Sequence, residues 1–141
     1  MDEGRRLIRE AAGEASLAAQ LPLASSVIVG RLMSNQACDE VRPTGEVCFQ
    51  LLAEEVLKGP PLADTLITVV APSKSAKIWQ QGVYLLTRPD SRARFRPVHP
   101  DWSYFPAVDD KYVVGFRLVS RDPVDCLMPI LADRDEILDI K

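Results

Sequence analysis

The sequence predicts a mainly β fold: a five-stranded Greek-key barrel with an N-terminal helix and a short C-terminal helix. Three observations carry this. A β-branched run closes on glycine at Val27-Ile28-Val29-Gly30. A long alternating segment runs from Glu46 to Leu57 and stops at Gly59-Pro60-Pro61. Two further apolar runs follow, Leu66 to Val70 and Gly82 to Thr87. Short strands with one long interior strand, flanked by terminal helices, fit a small barrel better than a sandwich.

Residues 1–22 read as the N-terminal helix. Leu7, Ile8, Ala11, Ala12, Ala15, Ala18 and Ala19 recur near helical spacing among charged residues, and Pro22 supplies the stop. Residues 23–120 read as the barrel. Ser25 to Ser34 is the first strand, with Gly30 marking a bend or bulge. Polar residues from Asn35 to Gly45 make the connection to the second strand. There Val47, Phe49, Leu51 and Ala53 give one fully apolar face. Leu66 to Ala71 and Val83 to Arg88 are the third and fourth strands. Arg92 to Val98 alternates arginine with Ala93 and Phe95 as an exposed edge strand would. His99 to Asp110 is rich in proline and aromatics, and Lys111 to Ser120 is the last strand. Residues 123–141 read as a C-terminal helix opened by Pro123, with Leu127, Ile130, Leu131, Ile137, Leu138 and Ile140 turned inward. On this reading Val27, Val29, Phe49, Leu51, Leu66, Val83 and Leu85 fill the barrel. No repeat, low-complexity tract or linker divides the 141 residues, so one domain is expected.

A net charge of −3 and a pI near 5.2 deny the whole molecule the positive field that nucleic-acid binding uses. No apolar run approaches the ~20 residues that span a bilayer. The first residues carry no apolar stretch of signal-peptide type. Three cysteines, Cys38, Cys48 and Cys126, form no CxxC pair. Plain thiols are the simplest expectation. If the chain is exported, Cys38 and Cys48, which flank the first hairpin connection, are the pair to bridge.

Four segments carry a family resemblance. They are Ser25 to Leu32 with its Gly30-Arg31 close, the strand from Phe49 ending Leu57-Lys58-Gly59, Thr65 to Val70, and Gln81 to Leu86 with Tyr84-Leu85. Together they resemble the oligonucleotide/oligosaccharide-binding (OB) barrel of bacterial members of the netrin-module and TIMP-like (tissue inhibitor of metalloproteinases-like) superfamily, over roughly Leu23 to Val119. Leu32 stands where that pattern has valine, and Tyr84 follows Gly82 one residue early. Animal inhibitors of this kind chelate a protease zinc through an N-terminal cysteine, and here no cysteine precedes Cys38. The resemblance therefore implies the fold and leaves the inhibitory wedge behind. It favours a periplasmic or secreted location with the signal removed, with the cytoplasm as the alternative.

The residues suggest no catalytic centre. His99 is the single histidine, with no cysteine at ligand spacing. No GxSxG elbow, P-loop or GxGxxG is present. Glu54 and Glu55 are neighbours on a strand, so they face opposite ways and cannot share one reaction. No cofactor or metal is expected. What remains is a surface: Arg88, Arg92, Arg94, Phe95, Arg96 and His99, followed by Trp102, Tyr104 and Phe105. The function expected is a non-enzymatic module that binds another protein through Arg92 to Phe105. An inhibitor or immunity-type protein blocking a peptidase or toxin is the first alternative. A single-stranded nucleic-acid binder is the second, because basic residues among aromatics suit it. Oligomeric state stays open.

Overall fold

The structure, a computed structural model, describes residues 16–34, 46–72, 80–99, 103–121 and 124–140. A four-residue helix, α1 (Leu17–Gln20), comes first. The strands are β1 (Ser26–Ser34), β2 (Glu46–Lys58), β3 (Leu66–Pro72), β4 (Gln81–Leu86), β5 (Arg94–Phe95), β6 (Tyr104–Val108), β7 (Lys111–Arg121) and β8 (Val124–Ala132). A 3-10 helix, Arg134–Asp139, ends the described chain. The single N-terminal helix expected over 1–22 is interrupted where it is described: Ser16 is extended and N-caps a helix that starts at Leu17, its Oγ accepting from the Ala19 N–H at 3.1 Å. Its remainder lies outside the described residues.

All eight strands join in one sheet, ordered β5-β3-β2-β1-β4-β6-β7-β8. Every neighbouring pair is antiparallel except β3 with β5. The chain is thus mainly β, but the sheet is open and not the closed five-stranded barrel expected. Two residues of β5 are too few to build a second ladder, and β6 takes the outer edge of β4 from Gly82↔Pro106 to Tyr84↔Tyr104. Closure is limited to one bridge, Leu86↔Pro97, beside two backbone bonds. In these, the Thr87 N–H donates to Arg96 O at 2.8 Å and the Val98 N–H to Leu85 O at 3.1 Å.

Two cores share β1 and β4. Ile28, Phe49, Leu51, Val69, Tyr84, Leu86 and Phe95 meet inside the curl of β1 to β5. On the opposite face, Val27, Val29, Val83 and Leu85 pack with Leu17, Leu21, Phe105, Ala132 and Ile137. The face assignment read from sequence is therefore half reversed. Val27, Val29, Val83 and Leu85 are buried, but in the second core. Leu66 is 41% exposed. The bend at Gly30 is present as a register shift between Val29 and Gly30. Phe49 and Leu51 sit on the inner face as expected, both 0% exposed.

The C-terminal helix expected over 123–141 is another correction. Val124–Ala132 is a strand paired with β7 from Arg121↔Val124 to Tyr112↔Ala132, and only Arg134–Asp139 turns helically. Of the side chains expected to point inward, Ile137 is buried, while Ile130, Leu131 and Leu138 are exposed. The 3-10 turn is fixed by the Asp133 N–H donating to Glu136 Oε1 at 2.9 Å and by an Arg134–Glu55 ion pair at 2.7 Å.

Cys48 is buried and disulfide-bonded, whereas Cys126 is an exposed free thiol on β8. Plain thiols are thus ruled out for Cys48. Cys38, its expected partner, lies outside the described residues.

Two outcomes follow from this packing. Phe49→Ala should cost about 3–5 kcal/mol in denaturant unfolding, while Leu66→Ala should cost under about 1 kcal/mol. Equal losses would contradict the core assignment. Thiol titration of denatured, unreduced protein should find Cys126 alone reactive. Reduction should lower stability by up to ~3 kcal/mol. Three reactive thiols would contradict the bridge.

Candidate functional site

Of the nine residues singled out from the sequence, those that are described do not form one exposed surface. Phe95 and Phe105 are each 6% exposed and belong to different cores. Their alternation with arginine and proline follows from strands with one buried face. Tyr104 is half-buried. Its hydroxyl donates to Gln81 O at 3.1 Å, and its ring lies 5.0 Å from that of Tyr84. Burial raises the pKa of both phenols, and Tyr84, whose hydroxyl donates to Gln80 O, is pushed above the ordinary tyrosine range. Both rings therefore act as neutral packing groups. The His99 N–H donates to Ser103 Oγ at 2.6 Å, and Ser103 Oγ donates to Gln20 Oε1 at 2.6 Å. This buried chain of bonds ties α1 to the start of β6. Trp102 lies outside the described residues.

The arginines are also dispersed. Arg96 is ion-paired with Glu46 at the start of β2. Arg94 Nε lies 3.2 Å from Asp90 Oδ2. Asp90 organises the turn before β5: its Oδ1 accepts from the Arg92 N–H at 2.8 Å and from the Arg94 N–H at 3.1 Å. These bonds, led by the Arg94 N–H, lower the Asp90 pKa. They also hold Ala93 at φ 59, a left-handed value that turns the chain into β5.

Arg88, Arg92 and Phe95 are the singled-out residues that do share a site. They line a cleft of about 640 Å³ at one end of the curled β1–β5 half. All five strands deliver an end to it: Ser26 begins β1, Lys58 ends β2, Leu66 begins β3, Arg88 follows β4 and Arg92 precedes β5. Ile67 and Phe95 form its floor. Leu62 reaches in from the β2–β3 loop and packs on the inner core. Pro60, Pro61 and Pro89 stiffen the walls. The loop begins at Gly59, with φ +110, where an added Cβ would lie 2.5 Å from Ser25 O. Glycine alone suits that place.

The charge at this cleft runs against that of the chain. Lys58, Arg88 and Arg92 line it against one carboxylate, Asp64. Lys58 Nζ donates to Leu21 O at 2.7 Å, which anchors the end of β2 to the turn after α1. Arg88 and Arg92 are exposed. The proximity of Arg88 and Arg92 is visible in sequence, but nothing there marks Lys58, Asp64 or the loop prolines as their neighbours. Among the described residues, no group of three or more His, Cys, Asp or Glu side chains could hold a metal ion. No family model, curated protein or solved structure matches this chain.

The Asp90 turn makes a pH prediction. Its folded pKa is lowered, so the stability it adds is present above the unfolded aspartate value near ~3.9 and is lost as pH falls through the folded value. Carboxyl NMR titration should place Asp90 below ordinary aspartates, and Arg94→Ala should move it back up. An unshifted midpoint in the native chain would contradict the turn.

Proposed function

We propose that this chain is a non-enzymatic binding module whose partner is another protein, engaged at the cleft where the five strand ends meet. The observation that carries this reading is the composition of the cleft. Its floor and walls are apolar and proline-rich, while its rim is cationic in an acidic chain. Such an arrangement recognises and orients a partner, since a few convergent polar groups set specificity over an apolar base.

The OB-like reading of the fold belongs to the same proposal. Strands β1 to β5 neighbour one another in the order β5-β3-β2-β1-β4, and the Leu86↔Pro97 bridge leads from β4 back to the chain after β5. A parallel β3–β5 pair within an otherwise antiparallel set supports a Greek-key barrel drawn open. On this reading the cleft is the barrel mouth. The netrin-module and TIMP-like kinship stands as part of the proposal, resting on the sequence segments alone. An inhibitor blocking a peptidase or toxin would be a special case of this module, acting through the cleft loops.

Single-stranded nucleic acid is less well supported. Arg94 and Arg96 are engaged by Asp90 and Glu46, and Phe95 and Phe105 are buried. That leaves little of the basic and aromatic platform that base stacking uses.

Affinity capture with the full chain from its native host tests the reading. One protein should be retained in stoichiometric amount as salt is raised, because apolar anchors are less salt-sensitive than phosphate contacts. Submicromolar oligonucleotide binding near physiological salt, abolished by neutralising Arg92, Arg94 and Arg96, would overturn it.

A further inference from the structure

We propose that the cleft binds an extended segment of the partner protein in which a carboxylate stands beside a large apolar side chain. This rests on the binding-module reading and specifies the chemistry of its ligand.

The apolar requirement comes from the walls. Leu66 is 41% exposed where β3 enters the cleft, beside the half-buried Leu62 and above buried Ile67 and Phe95. An exposed leucine at the edge of a concave apolar site favours an apolar side chain placed against it. Among the described lining residues Phe95 is the single aromatic and is itself buried, so an apolar side chain is received there by packing and those residues offer no exposed ring for a base to stack on.

The carboxylate requirement comes from the rim. Among the described lining residues three cations stand against one carboxylate, and Arg88 and Arg92 are four positions apart, Arg92 within the turn that Asp90 opens. The Asp90 carboxylate that fixes this turn is bonded to the Arg92 and Arg94 amides and to the Arg94 side chain. Guanidinium groups match carboxylates through paired hydrogen bonds. An acidic ligand is thus attracted to this cationic cleft in an acidic chain.

The extended conformation comes from the backbone. The Ala53 N–H donates to Thr65 O at 2.6 Å, so alternate residues Thr65 and Ile67 direct their peptide groups to β2. Leu66 directs its own to the opposite side. The β3–β5 ladder begins only at Thr68↔Arg94. Leu66 therefore offers a strand edge inside the cleft, to which a short extended segment can add by main-chain bonds.

Selection from a random heptapeptide library against the folded full chain tests the proposal. Enriched sequences should place Asp or Glu within two positions of a large apolar residue. A synthetic peptide of that consensus should bind about tenfold more weakly to Arg88→Glu and a few-fold more tightly to Asp64→Asn. Both side chains are exposed, so unchanged melting of the variants confirms that folding is intact. A consensus that is basic or lacks a carboxylate, no enrichment at all, an unchanged affinity in Arg88→Glu, or displacement of the peptide by oligo-dT would each overturn it. If the host protein is still captured equally by Arg88→Glu, the binding-module reading survives and this inference falls.

Discussion

Strands β1 and β4 pair from Ser26↔Leu86 to Arg31↔Gln81, and both faces of that ladder are buried. Alternate residues supply each face, so Ile28, Tyr84 and Leu86 enter the inner core while Val27, Val29, Val83 and Leu85 enter the outer one. A ladder buried on both sides reads as a continuous apolar run, as Val27–Val29 and Val83–Leu86 do. Everything else is arranged around it. Strands β2, β3 and β5 curl over one face. Helix α1, the 3-10 turn and the base of the β7–β8 hairpin cover the other. Close approach is enforced at Gly82, where an added Cβ would collide with Phe105 O of β6.

That same continuity explains what the sequence could and could not disclose. Strands β1 to β4 and β7 were legible because β-branched and aromatic runs stopped at glycine and proline. Which face each residue took was not, since Val27-Ile28-Val29 offers no polar residue to mark an outside. The C-terminal strand was hidden for another reason. Leu127, Ile130 and Leu131 match helical spacing, and their pairing with Leu118, Gly115 and Val113 is a tertiary fact. Pro129 was the available signal. It is costly inside a helix but tolerated on an edge strand, and β8 is an edge.

The proposed binding surface was less legible than the fold. Alternating arginines announced a strand edge correctly in kind, yet Arg96 finds Glu46 fifty positions away and Arg94 finds Asp90. No local pattern encodes the first of these. The cleft is more remote still from the sequence, because it is made by strand ends brought together by the curl. Its cations come from separate stretches, Lys58 at the end of β2 and Arg88 with Arg92 between β4 and β5.

The separation of Ser26 from Leu86 also has a consequence during synthesis. As the chain leaves the ribosome, β1 can pair with β2 and β2 with β3 well before β4 has emerged. Until then the opposite edge of β1 stays unpaired, with Val27, Ile28 and Val29 still lacking one of their covers. A growing chain paused between β3 and β4 would present that edge to other nascent chains, a hazard of folds that depend on distant pairing. The interval between the emergence of β3 and that of β4 therefore bears on how much of this protein reaches its native state, apart from any question of the stability it has once folded.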